Sequence, residues 1–121
     1  MGDYSRAEAI IRESLEHSER LLPADHIRQS YPLKGLADAL RKQGRFDEAL
    51  PYAERAYVLR MSLSGDNVDR IGARFTLGIC LWNLNRQDEA ENHLNDTLAF
   101  FKARQDQYSN QIAELQELGF Q

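Results

Sequence analysis

The 121-residue sequence predicts an all-α fold, a short α-solenoid of antiparallel helical hairpins, and three observations carry that prediction. Apolar residues recur at three-four spacing through most of the chain, as in helices that bury one face. Runs rich in β-branched residues, which strands favour, are missing. The sequence also repeats: Arg45-Phe46-Asp47-Glu48-Ala49 returns as Arg86-Gln87-Asp88-Glu89-Ala90 and, more weakly, as Asp3-Tyr4-Ser5-Arg6-Ala7. The matching alanines stand 42 and 41 residues apart. Two helices per period of that length mark hairpins that stack and share a core.

Six helices follow from the stripes. The first, about 4–21, carries Ala7, Ile10, Ile11, Ser14, Leu15, Ser18, Leu21 and, just beyond, Leu22. The second, about 26–43, carries Leu33, Leu36, Ala37 and Leu40. Pro32 is expected to kink this helix or delay its regular part, and Gly35 weakens it further. The third, about 47–63, carries Ala49, Ala53, Ala56 and Leu59, and places Pro51 at the end of its first turn, where a missing amide hydrogen costs little. Leu77, Leu81 and Leu84 mark the fourth, about 68–84. Ala90, Leu94, Thr97 and Phe101 mark the fifth, about 88–104, and Tyr108, Ile112 and Leu115 the sixth, about 107–118. The breaks are two or three residues long, as between antiparallel neighbours: Pro23-Ala24-Asp25, Gly44-Arg45, Ser64-Gly65-Asp66, Asn85-Arg86 and Gln105-Asp106. Asp25, Asp66 and Asp106 are the expected N-caps. Ala37 and Gly78 on one helix, Ala49 and Ala90 on its partner, are small residues where backbones approach, beside the knobs Leu36, Leu40, Leu77 and Leu81. Cys80, one period after Ala39, reads as a small core residue.

Composition narrows the function classes. With 42% hydrophobic and 28% charged residues and a net charge of −4, the chain is neither disordered nor suited to general nucleic-acid binding. One cysteine excludes a disulfide framework, and apolar runs no longer than four residues exclude a membrane span. Met1-Gly2 lacks the Ser or Thr of a myristoylation signal, since Arg6 stands there. The expectation is one soluble, cytoplasmic domain. His17, His26 and His93 match no metal-ligand spacing, and no phosphate loop or nucleophile elbow appears, so no metal, cofactor or catalysis is expected. Glu8 with Arg12 and Glu16 with Arg20 read as surface pairs.

At Leu22, Pro23, Asp25, His26, Leu36, Ala37, Gly44, Arg45, Phe46, Glu48, Ala49 and Pro51 the chain resembles the tetratricopeptide repeat, in the longer-period variety of kinesin light chains. The resemblance covers about residues 3–104 and implies a right-handed superhelix whose first-type helices line a concave surface. It also implies a turn-shaping role for His26, and a non-catalytic protein-interaction module or scaffold. Gly35 and Thr76 stand where the family usually has a ligand-binding asparagine, and Asp38 where a carboxylate clamp needs one. Recognition of chaperone C-termini is therefore not expected.

On that concave surface the second helix would present Tyr31, Lys34, Gly35, Asp38, Arg41 and Lys42, a basic and polar wall. The fourth would present Gly72, Phe75, Thr76, Ile79, Trp82 and Asn83, an aromatic and apolar one. Phe75 and Trp82 are the candidate anchors for a peptide or helix, and Lys34, Arg41 and Lys42 would steer an acidic segment. Alternatively, neighbouring helices or the segment after Gln107 cover these side chains. The frame opens on a second-type helix and closes on an unpaired one, which suggests either a piece of a longer array or head-to-tail self-association. The latter would join Ile10, Ile11, Leu15 and Leu22 to Tyr108, Ile112, Leu115 and Phe120 of another copy. A regulatory appendage of a larger enzyme is the remaining alternative.

Overall fold

The computed structural model describes residues 3–121, so the Met1-Gly2 reading lies outside the described residues. Among them there are six α-helices and no strand: α1 (Tyr4–Leu21), α2 (Ser30–Lys42), α3 (Phe46–Arg60), α4 (Val68–Asn83), α5 (Gln87–Lys102) and α6 (Gln105–Glu117). Each helix packs on the next, so α2 with α3 and α4 with α5 form the two complete hairpins, and α2 also touches α4.

The hairpins close where the sequence placed small residues. Ala37, Ala49 and Ala90 are fully buried, with Leu33, Leu36, Leu40 and Leu94 around them. At Gly78 a Cβ atom would stand 2.5 Å from Leu94 Cδ2, so only glycine admits α5 at this distance. Both hairpin turns end their first helix alike. Gly44 (φ 76°) and Asn85 (φ 64°) adopt the left-handed conformation, and the amides of Arg45 and Arg86 reach back to the carbonyls of Leu40 (3.0 Å) and Leu81 (2.9 Å). Gly119 (φ 103°) repeats the motif after α6, where the Phe120 amide reaches the Leu115 carbonyl at 3.1 Å.

Several local expectations are corrected. Pro32 delays α2 and does not kink it: a 3₁₀ turn (Ile27–Gln29) comes first, and Pro32 falls at the third residue of α2, where no helical partner is lost. Pro51 is the sixth residue of α3, one residue deeper than expected because the helix starts at Phe46, and its missing amide hydrogen removes one donor to the carbonyl of the exposed Asp47. The three aspartates do not cap. Asn67 accepts from the amides of Asp69 (2.8 Å) and Arg70 (3.3 Å), displacing Asp66. His26 Nδ1 accepts from the Arg28 amide (3.1 Å), displacing Asp25 and giving the histidine a turn-shaping contact. Asp106 lies inside α6, which starts two residues early and is irregular at Tyr108 (φ −125°, ψ 28°). The stripe of α3 continues to Arg60, 3% exposed, and not to the half-buried Leu59. Cys80 is fully buried, and burial pushes its thiol up to about 12, far from reactivity.

The ends are asymmetric. On α1, Ile10 and Leu21 are 59% and 67% exposed. On α6 the expected apolar outer surface is absent: Ile112 and Leu115 and the tail's Phe120 are buried, and Ser109, Asn110, Ala113, Gln116 and Glu117 face outward.

Candidate functional site

A groove of about 760 Å³ runs over the first-type helices. Its floor is α2 and α4, with Gly35 and Gly72 keeping it low. Tyr4, Ala7 and Ile11 of α1 border one side, and Tyr108, Asn110, Gln111 and Glu114 of α6 the other. Four basic side chains (Lys34, Arg41, Lys42, Arg60) and three carboxylates (Asp38, Asp69, Glu114) line it. The groove therefore leans positive within a chain of net charge −4.

Asp38 organises its centre. Its Oδ2 accepts from Lys34 Nζ (2.7 Å), and its Oδ1 from Arg41 Nε (2.9 Å) and Thr76 Oγ1 (2.8 Å). Burial works to raise the Asp38 carboxyl, but the charges of Lys34 and Arg41 outweigh it and hold the group below the usual range. Arg41 is nearly buried, donates from Nη1 to Glu114 Oε2 at 2.7 Å, and lies 5.3 Å from the Phe75 ring centre. Burial disfavours its charge, yet Asp38 and Glu114 more than restore it. Lys42 Nζ stands 3.7 Å from Glu114 Oε1.

A second cluster forms the mouth. Arg60 donates to Ser30 Oγ (2.9 Å) and to the Asp69 carbonyl (2.8 Å), with its guanidinium 4.8 Å from the Tyr31 ring centre. Burial lowers its affinity for the proton. Tyr31 is 52% exposed and donates its hydroxyl proton to Asp69 Oδ2 at 3.0 Å, which holds the ring at the rim beside the exposed Val68.

The structure thus brings Tyr31, Lys34, Asp38, Arg41, Lys42 and Phe75 into one groove and leaves out Thr76, Ile79, Trp82 and Asn83. Phe75 and Ile79 are 4% and 2% exposed, so the expected apolar wall is core. The Phe75 ring meets Phe101 edge-on at 5.4 Å. Trp82 is half-buried against Phe120, ring centres 5.0 Å apart. Thr76 is spent on Asp38, and the amide of Asn83 donates to the Ile79 carbonyl at 2.9 Å. The cations expected to be free for steering are largely partnered by Asp38 and Glu114. Sequence reasoning missed Arg60, Asp69 and Glu114. Only Arg60 carried a signal, four residues after Ala56 on a stripe otherwise made of alanines.

Among the described residues no group of His, Cys, Asp and Glu is placed to hold a metal ion, and no helix is long and apolar enough to cross a membrane. The family model for the tetratricopeptide repeat matches residues 1–60 and, overlapping, 34–103, which together cover most of the chain. Such repeats are generally protein-interaction modules and typically non-catalytic. Comparison with curated proteins finds no match. With helical hairpins closing at the spacing read from the sequence and the family model matching twice along it, the chain belongs to the tetratricopeptide repeat family.

Proposed function

We propose that the groove over α2 and α4 binds a segment of a partner protein that brings both a carboxylate and apolar side chains. The observation that carries this reading is the rim: Tyr31 and Val68 are about half exposed beside Lys34, in the positively leaning part of an acidic chain. An aromatic ring fixed by Asp69 and backed by Arg60 offers apolar area at little entropic cost. A peptide-display library presented to the chain is expected to yield acidic peptides with apolar anchors. Tyr31→Ala and Lys34→Met are each expected to weaken the selected peptides about tenfold or more, measured at a temperature where circular dichroism shows the variants still folded. Selected peptides that bind both variants unchanged would overturn the reading.

A second reading, self-association, now rests on α1 alone. Ile11 and Ser14 stand one period before Ala53 and Ala56, which are 1% and 0% exposed on α3, a helix packed between α2 and α4. On α1 the matching positions are half-buried and exposed, next to the bare Ile10 and Leu21. Sedimentation velocity is expected to show a mass that rises with concentration, and Ile10→Asp is expected to return it to a monomer. A monomeric wild-type chain across the concentration range removes this reading.

A further inference from the structure

The C-terminal segment sits unlike the other helices. α6 brings its backbone close to α5 alone, whereas α4 packs against α2, α3 and α5. It buries Ile112 and Leu115 in the shared core, and its other ties to α2 and α4 are a long side chain and the tail. Glu114 holds Arg41 at 2.7 Å and faces Lys42 at 3.7 Å. Phe120 covers Trp82, and the Lys102 ammonium donates to the carbonyl of Gln121. Before it come a two-residue turn and an irregular residue, Tyr108, which breaks helical continuity with the residues that follow. Its outer face is polar, and thirteen residues are too few for a helix to persist undocked in water.

We infer that α6 and its tail occupy one side of the groove as a displaceable stand-in for a ligand, and that the surface beneath takes a partner helix with the same pattern. That pattern is an apolar residue followed by an acidic and an apolar residue two and three positions on, as in Ile112, Glu114 and Leu115. The inference rests on the groove reading and specifies its ligand. The chemistry argues for it directly: a carboxylate on a nearly buried arginine, itself stacked near Phe75, is what an acidic helix would supply from outside. Release of α6 would also uncover Trp82, giving the groove an apolar extension.

The test uses the full chain and needs no natural partner. Glu114→Lys sets a third cation beside Arg41 and Lys42. Hydrogen exchange over Asn110–Leu118 is expected to quicken roughly tenfold while α2 to α5 hold their rates. The sole tryptophan, Trp82, is expected to become more open to an aqueous quencher. Phe120→Ala is expected to expose Trp82 by the other route, should the first variant disturb folding. A synthetic peptide of residues 105–121 is expected to bind Glu114→Lys roughly tenfold more tightly than the wild type, since the internal helix competes less. Exchange in α6 that stays level with α5, loosening of all helices together, or a released α6 with no peptide bound would each overturn the inference. None of these outcomes depends on Tyr31 or Lys34, so the groove reading stands or falls separately.

Discussion

Leu94→Ala is expected to lower the free energy of unfolding by about 3–4 kcal/mol, the cost of a cavity where a fully buried leucine stood. Gly78→Ala is expected to cost about 1–2 kcal/mol although alanine is the better helix former, because the new methyl enters the space of Leu94 Cδ2 and Cγ at 2.5 and 2.7 Å. The combination is the informative variant. Gly78 and Leu94 stand one period after Ala37 and Ala53, so the double alanine variant gives the second hairpin the pairing of the first. It is expected to be less destabilised than the sum of the two changes by about 1–2 kcal/mol. Chemical denaturation of the four proteins measures the coupling, and strict additivity would mean that the two residues do not share one volume. A domain this size has a total stability of roughly 5–15 kcal/mol, so Leu94→Ala alone removes a large share of it.

That pair also shows why the fold was readable. A repeat displays each packing position more than once, and a glycine opposite a leucine in one unit answers an alanine opposite an alanine in the other. Positions that serve packing therefore identify themselves by recurrence, as do the Leu40 and Leu81 carbonyls that close the two turns. What does not recur stayed hidden. The aspartates looked like caps because aspartate often is one, but the neighbouring Asn67 and His26 took the free amides instead. Pro32 was accommodated by a short 3₁₀ turn that the helical period does not announce.

The lining of the groove was legible on α2 and not on α4. Tyr31, Lys34, Asp38, Arg41 and Lys42 occur where the period predicts a groove-facing strip. Phe75, Ile79 and Trp82 have the same helical logic, but whether an apolar stripe faces ligand or protein depends on what folds over it. Phe101 and the tail's Phe120 supply that cover, and the second of these lies outside the residues that the family model matches. Glu114, 73 residues from Arg41 in sequence, could not be paired with it from local spacing. The same limit hid Arg60, whose partners Ser30 and Asp69 come from the two flanking helices.

Asp38 brings these threads to one side chain. A carboxylate clamp would need asparagine there, yet this chain cannot take one without loss. Both carboxylate oxygens accept hydrogen bonds, from Lys34 on one side and from Arg41 and Thr76 on the other. An amide would turn a donor toward one of the two cations and leave Arg41 with Glu114 as its sole counter-charge. Asp38→Asn is therefore expected to destabilise the fold by about 2–4 kcal/mol at pH 7, the scale of removing one partner from a mostly buried ion pair. The pH dependence distinguishes charge from shape. The folded carboxyl is held below its unfolded value of about 3.9, so its contribution is complete above that pH and disappears as pH falls through the folded value. Denaturant midpoints of wild type and variant are thus expected to lie apart at pH 7 and to converge toward pH 2. Glu8, Glu48 and Glu89 are also held low by arginine or glutamine partners and give both proteins a common acid sensitivity, which the comparison cancels. A gap that stays constant with pH would assign the loss to geometry at Thr76 and Arg41 and not to the charge of Asp38.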